Sequence, residues 1–169
     1  IAGAGSWHRA GLGLSGPGWQ VLGVMDGLAG DSVRDIVQDE KGNLWLGTST
    51  GLSRYDGHVF RNYTSRDGLP EGEIAALALA IDGGLWIGSA NGLSRFDGKA
   101  FTNYGPRDGL PAGSVLSLHF DHHGELWIGL DRGLYRFDGR FFHSHDGFEG
   151  APRTWVEAIV ADADTLWLT

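Results

Sequence analysis

Histidine and carboxylate side chains are the first residues in this chain that could do chemistry. His143 and His145 stand two residues apart, which in a strand puts both on one face. His122 and His123 follow Asp121 at what reads as a hairpin tip. Either pair could begin a metal site, but neither has a third ligand at a recognisable spacing. The plainer reading is a solvated edge strand and a polar turn, so the expectation is no metal and no cofactor. Two series of acids, Asp56, Asp97 and Asp138, and Asp26, Asp67 and Asp108, have the look of paired carboxylates for acid–base work. The chain has no Cys, which excludes disulfides, zinc ribbons and a Cys nucleophile. No Walker loop or HExxH occurs.

The acids recur, and the recurrence changes their meaning. Trp45, Trp86, Trp127 and Trp167 follow one another at spacings of 41, 41 and 40. Around them the text repeats as GNLWLGT, GGLWIGS, GELWIGL and DTLWLT. GLSRYDG, GLSRFDG and GLYRFDG come next, then Phe60, Phe101 and Phe142, then two RDGLP turns. MDGLA and HDGFE fill the same slot elsewhere. An Asp that returns once per repeat is a turn maker, because its carboxylate bonds downstream backbone. Arg54, Arg95 and Arg136 return in the same way and are expected to pair with nearby acids.

The elements that must position these residues are strands. The runs 33–39, 74–80, 115–121 and 156–162 are apolar and β-branched enough for a buried first strand. Glycines and Asn-Gly or Asp-Gly pairs then turn the chain into a second, third and fourth strand. A four-stranded unit of about 40–45 residues is a propeller blade. The expected fold is therefore all-β, a propeller of four-stranded antiparallel blades with about four present. Residues 1–16 read as a degenerate partial blade, and 17–30 as its outer strand and connection. Residues 31–71, 72–112 and 113–153 are whole repeats, and 154–169 is a half blade. All of 1–169 makes one propeller segment, expected to be a fragment of a larger propeller because the Gly-rich start makes a poor cap. Trp45, Trp86, Trp127 and Trp167 are expected as wedges between sheets, with Asp56, Asp97 and Asp138 as scaffold. In such a frame His119 either faces the channel or is a buried, satisfied histidine.

The wording LWIGT, GL-x-RYDG and DGLP resembles the two-component regulator propeller repeat over roughly residues 16–169. That resemblance implies a propeller of the periplasmic or extracellular, ligand-sensing kind found in hybrid histidine kinases, some of which sense oligosaccharides. The chain departs from the pattern in residues 1–16, in the APRTWV stretch of the fourth unit, and in that unit's shorter hairpin. An alternative within the enzymes is similarity to the streptogramin lyases. This would need a singular His–Glu pair, and His119 with Glu157 supplies the only suggestion. A third reading is a rigid scaffold docking onto a larger assembly.

Net charge is −8, from 21 acids against 13 bases, so no basic excess exists to grip a phosphate backbone. Nucleic acid is not expected as a partner. No run of eighteen apolar residues occurs, so no direct membrane insertion is expected either. The expected partners are an oligosaccharide or protein ligand, and a larger assembly or the remainder of the same polypeptide. Residues that break the repeat are freer for such contact than those that make it. Arg66, Glu71, Arg107, Arg153 and Trp155 all fall in the connections that one propeller face gathers, and they form the candidate binding set.

Overall fold

A computed structural model describes residues 8–10, 19–145, 155–161 and 165–169. Strands β1 (His8–Ala10) and β2 (Trp19–Val21) form a two-stranded antiparallel sheet. The first four-stranded sheet contains β3 (Val33–Gln38), β4 (Leu44–Thr48), β5 (Gly51–Tyr55) and β6 (Phe60–Tyr63). The second contains β7 (Ile74–Leu79), β8 (Leu85–Ser89), β9 (Gly92–Phe96) and β10 (Phe101–Tyr104). The third contains β11 (Val115–Phe120), β12 (Leu126–Leu130), β13 (Gly133–Phe137) and β14 (Phe142–Ser144). Strands β15 (Ile159–Ala161) and β16 (Leu166–Leu168) pair as a last, two-stranded sheet. Every strand pairs with its chain neighbour, and the inner strands β3, β7, β11 and β15 pack side by side in order. This is the blade arrangement of a propeller.

The close stacking of sheets has a local cause in the second strand. A Cβ at Gly47 would lie 2.8 Å from Ile74 Cγ2 of the next sheet, and one at Gly88 would lie 2.6 Å from Val115 Cγ1. At Gly129 it would lie 2.5 Å from the Val156 carbonyl oxygen. The Gly of LWIGT is therefore the seat for the next inner strand, and Ile74, Val115 and Val156 are fully buried in it. Aromatic rings fill the wider part of each wedge. Trp45 stacks on Tyr63 and meets Phe96 of the second sheet, with both centroid distances 5.6 Å. Trp86 repeats the pattern with Tyr104 and with Phe137 of the third sheet, at 5.3 Å each. Asn62 and Asn103 tie each outer strand inward, accepting from Ser53 or Ser94 and donating to Gly27 O or Gly68 O.

Several details differ from the reading of the sequence. The MDGLA and RDGLP turns are short 3-10 helices, Val24–Asp26, Ser65–Asp67 and Pro106–Asp108. Each is closed by a left-handed glycine, such as Gly68 at φ 97°. The helical turn carries each Asp back over the start of the loop. Asp26, Asp67 and Asp108 therefore accept from upstream amides of Gly23, Thr64 and Gly105, not from downstream ones. The Leu that follows drops into the core: Leu28, Leu69 and Leu110 are buried. In the fourth unit the strand expected from residue 156 begins only at Ile159, residue 162 lies outside the described residues, and Val156 donates its N–H to Leu130 O of the third sheet. HDGFE, apart from His145, lies outside the described residues.

The four repeat tryptophans are not equally buried. Trp45 and Trp86 are 6% and 4% exposed, Trp127 is partly buried and Trp167 is 63% exposed. Burial follows the neighbour: Trp45 and Trp86 face whole sheets, Trp127 faces β15 and β16, and no described sheet covers Trp167. At the other end of the row, Ile36 of β3 is 53% exposed, where its counterpart Leu77 is buried.

Two substitutions separate the seat from the wedge. Trp45→Ala removes a buried wedge and is expected to cost about 3–5 kcal/mol. Gly88→Ala forces Val115 out of its seat and is expected to cost about 1–3 kcal/mol. Gly23→Ala, where nothing lies within 4 Å, should stay within about 0.5 kcal/mol of the parent. Urea denaturation of the three variants checks the order.

Candidate functional site

The meander gives the sheets two unlike faces. On one, the connections from β6 to β7 and from β10 to β11 meet the turns between second and third strands. On the other lie the hairpins after β3, β7 and β11. The first is the loop face, which holds the candidate residues. Arg66 and Arg107 sit in successive 3-10 turns, both exposed, and neither makes an ion pair among the described residues. Glu71 is exposed, accepts from Ser65 Oγ at 3.0 Å, and its carbonyl accepts from the Asn91 side-chain amide. Trp155 is 65% exposed in the connection towards β15. Arg153 lies outside the described residues. No hydrogen bond or ion pair links Arg66, Arg107 and Trp155 to one another among the described residues. They share a face along successive blades rather than a single pocket.

The structure adds two features to that face. Arg34, the residue left out of the β3–β4 ladder by a register shift between Val33 and Asp35, reaches Glu73 at the entry to β7 as an ion pair. Asp131, in the turn between β12 and β13, holds a buried Oδ1 without a hydrogen-bond partner, close to Gly113. Its signal in the sequence was an acid where the other turns carry Ser49 and Ala90. Below the loops, polar side chains stitch the inner strands together. Asp35 Oδ2 accepts from Leu77 N at 2.7 Å, and Ser117 Oγ donates to Val156 O at 2.8 Å. His119 belongs to this stitching. Its Nε2 accepts from Ala161 N–H at 3.3 Å, which leaves the neutral ring's proton on Nδ1. No hydrogen bond joins it to Glu157 among the described residues.

On the opposite face the repeated acids and tryptophans are occupied by scaffold. Asp39 accepts from Trp45 Nε1 at 3.0 Å and from Asn43, and Asp121 accepts from Trp127 Nε1 at 2.9 Å. Burial pushes the Asp39 carboxyl up, and the bonds from Asn43 and Trp45 outweigh it, leaving the group below the usual aspartate range. Asp121 is lowered by the same balance, through Trp127 and the Glu125 amide. Asp56, Asp97 and Asp138 each cap a hairpin through two downstream amides, which hold them ionised. Asp138 is lowered furthest, because His143 Nε2 also meets its Oδ2 at 2.7 Å. His143 is thus paired with an acid, while the His145 ring stands 4.8 Å from that of Trp127. Among the described residues no three His, Asp or Glu side chains gather as metal ligands. Arg95 and Arg136 pair with Asp82 and Glu125, but Arg54 donates to the neutral Asn43, which takes the place of Glu125 in the first sheet.

The two-component regulator propeller model matches residues 27–50 and 109–132. Those two segments resemble the two-component regulator propeller repeat. A segment of 39 residues is 54% identical to Histidine kinase P4 of Formosa agariphila, covering 23% of this chain and 3% of that protein. Among solved structures, one assigned as the extracellular domain of a hybrid two component system of B. thetaiotaomicron superposes with a TM-score of 0.78. It is 18% identical, over 92% of this chain and 23% of its own. A streptogramin B lyase superposes at 0.65, with 16% identity over 85% of this chain and 49% of its own. At such identities both likenesses speak to the fold. The chain spans under a quarter of the first of these structures and a small part of the kinase. It is a propeller domain resembling the extracellular domains of hybrid two-component systems. No described helix is long and apolar enough to cross a membrane.

The lowered aspartates set a direction for stability against pH. Their folded values lie below the unfolded value of about 3.9, so the unfolded chain binds more protons there. Stability from these groups is present above about pH 4 and is lost as the pH falls through the folded values. Urea midpoints are expected to drop as the pH falls below about 4. Asp39→Asn should flatten that drop.

Proposed function

We propose that this propeller is a non-enzymatic binding module, the extracytoplasmic ligand-sensing part of a two-component-type signalling protein. Its loop face, with Arg66, Glu71, Arg107, Arg153 and Trp155, meets the ligand. The observation that carries the reading is the division of labour between faces. The repeat Asp and Arg residues of the three whole sheets are engaged by side chains and amides of their own sheet, and Trp45 and Trp86 pack against the next sheet. By contrast, the side chains of Arg66, Arg107 and Trp155 stand exposed with no hydrogen bond or ion pair among the described residues. Cations and an exposed indole on a rigid frame suit a polar, ring-bearing ligand, an oligosaccharide or a protein side-chain cluster. The match to the regulator propeller model and the kinase segment support a signalling context, and the extracellular neighbours support a periplasmic or extracellular location. The lyase likeness at 0.65 keeps an enzyme in view. The engagement of His119 by Ala161 weighs against it, since the ring nitrogen a base would use is already bonded.

Titration calorimetry against an array of oligosaccharides tests the face. Trp155→Ala and Arg66→Ala are each expected to weaken the tightest binder at least about tenfold, or 1.4 kcal/mol. Unchanged affinity in both, or a ligand seated on the hairpin face, would overturn the assignment.

A further inference from the structure

The three whole sheets carry one polar knot at the hairpin face, and the middle sheet lacks its carboxylate. In the first sheet Asp39 Oδ2 accepts from Trp45 Nε1 at 3.0 Å, and its Oδ1 accepts from Asn43 N at 2.9 Å. In the third, Asp121 does the same for Trp127 Nε1 at 2.9 Å and Glu125 N at 3.0 Å. The second sheet has Ala80 and Gly84 where these have Asp and Asn or Glu. Asp82 replaces only the backbone part of the knot. Its Oδ1 accepts from Gly84 N at 2.9 Å, and its Oδ2 holds Arg95 Nη2 at 2.6 Å. Trp86 Nε1–H is left without a hydrogen bond among the described residues, although the side chain is only 4% exposed.

That donor lines a groove of about 600 Å³ between the second and third sheets. Ala80 leaves room where a carboxylate stands in the sister sheets, and the Arg95 guanidinium fills the space over Gly84. Arg95 lies over Trp86, its guanidinium carbon 5.9 Å from the ring centroid. Only one of its five N–H groups is taken by Asp82. Tyr104, Phe120 and Phe137 supply an apolar wall.

We infer that this groove binds a small organic monocarboxylate, its oxygens lying where Asp39 and Asp121 carry theirs in the sister sheets. One oxygen accepts from Trp86 Nε1, the free N–H groups of Arg95 face the charge, and the ligand's body rests on Tyr104, Phe120 and Phe137. The sister sheets supply the precedent, since in each an indole N–H binds a carboxylate beside an Arg. Charge limits the ligand. Arg95 is already paired with Asp82 and Asp121 stands across the groove, so a single carboxylate has the precedent of Asp121 beside the Arg136–Glu125 pair, and a second negative charge has none. The site lies on the face opposite Trp155 and does not depend on the loop-face reading.

Nitrogen-15 NMR of the indole N–H groups of the 169-residue chain tests this, with Trp86→Phe identifying the Trp86 resonance. Benzoate is the probe, and benzyl alcohol is the control with the same ring and no charge. Benzoate is expected to move the Trp86 resonance saturably towards those of Trp45 and Trp127, while benzyl alcohol leaves it in place. Ala80→Asp, which builds the missing carboxylate into the chain, should give that shift without ligand and abolish the response to benzoate. If Ala80→Asp does not fold, Arg95→Gln decides, with benzoate affinity expected to fall at least about tenfold. The inference is overturned by a Trp86 resonance that benzoate leaves unmoved, or that benzyl alcohol moves equally. Undiminished benzoate binding in Ala80→Asp or Arg95→Gln overturns it as well.

Discussion

Neighbouring sheets in this chain touch where the second strand has no side chain. Gly47, Gly88 and Gly129 receive Ile74, Val115 and Val156 so closely that one added carbon would collide with the next inner strand. Much of the remaining packing depends on that approach. It brings Phe96 and Phe137 against the Trp and Tyr of the preceding sheet, and it buries the Leu of each DGL turn between sheets. A β-strand offers two faces, and here both are buried in sheet contacts along the middle blades. Stability is therefore shared between neighbours, as in other stacked repeats, and no single sheet holds its own core.

The same dependence explains the gradient of burial. Ile36 and Trp167 carry the chemistry of Leu77 and Trp86 but stand exposed, because their partner would be another sheet. Exposure at these positions reflects what lies beside them and is no sign of a binding residue. Arg66, Arg107 and Trp155 are different. Arg66 and Arg107 are exposed in connections between whole sheets, and the side chains of all three make no hydrogen bond or ion pair among the described residues.

Polar groups divide in the same manner. Asp56, Asp97 and Asp138, which the spacing offered for catalysis, are tied down by amides and, at Asp138, by a histidine, and held ionised by those donors. A carboxylate so engaged makes a poor base, since protonation would break the contacts that place it. At the knot of Asp39 and Asp121 the middle sheet is the exception. There the repeat omits the acid but keeps the indole, and a structural knot becomes a pocket.

The blade was legible in the sequence because its pattern is local. Trp every 41 residues, Gly at the turns and Asp-Gly pairs between apolar runs each act within a few residues of backbone, so strand order and sheet type follow from them. The bonds of Asp56, Asp97 and Asp138 were readable for the same reason, since a hairpin cap spans two or three residues. Of the loop-face candidates, Glu71 and Trp155 were readable as departures from the repeat, whereas Arg66 and Arg107 hold one position of its two RDGLP turns. What the sequence left open involves partners distant in the chain. His119 meets Ala161 across a sheet boundary, and Asp35 reaches Leu77 in the same way. The upstream bond of Asp67 depends on a 3-10 turn that its sequence shares with ordinary tight turns. Ala80 and Gly84 read as unremarkable small residues until the third sheet stands opposite them and Trp86 lies between. Local rules choose the strand, and only the stacking of sheets decides which donors find acceptors.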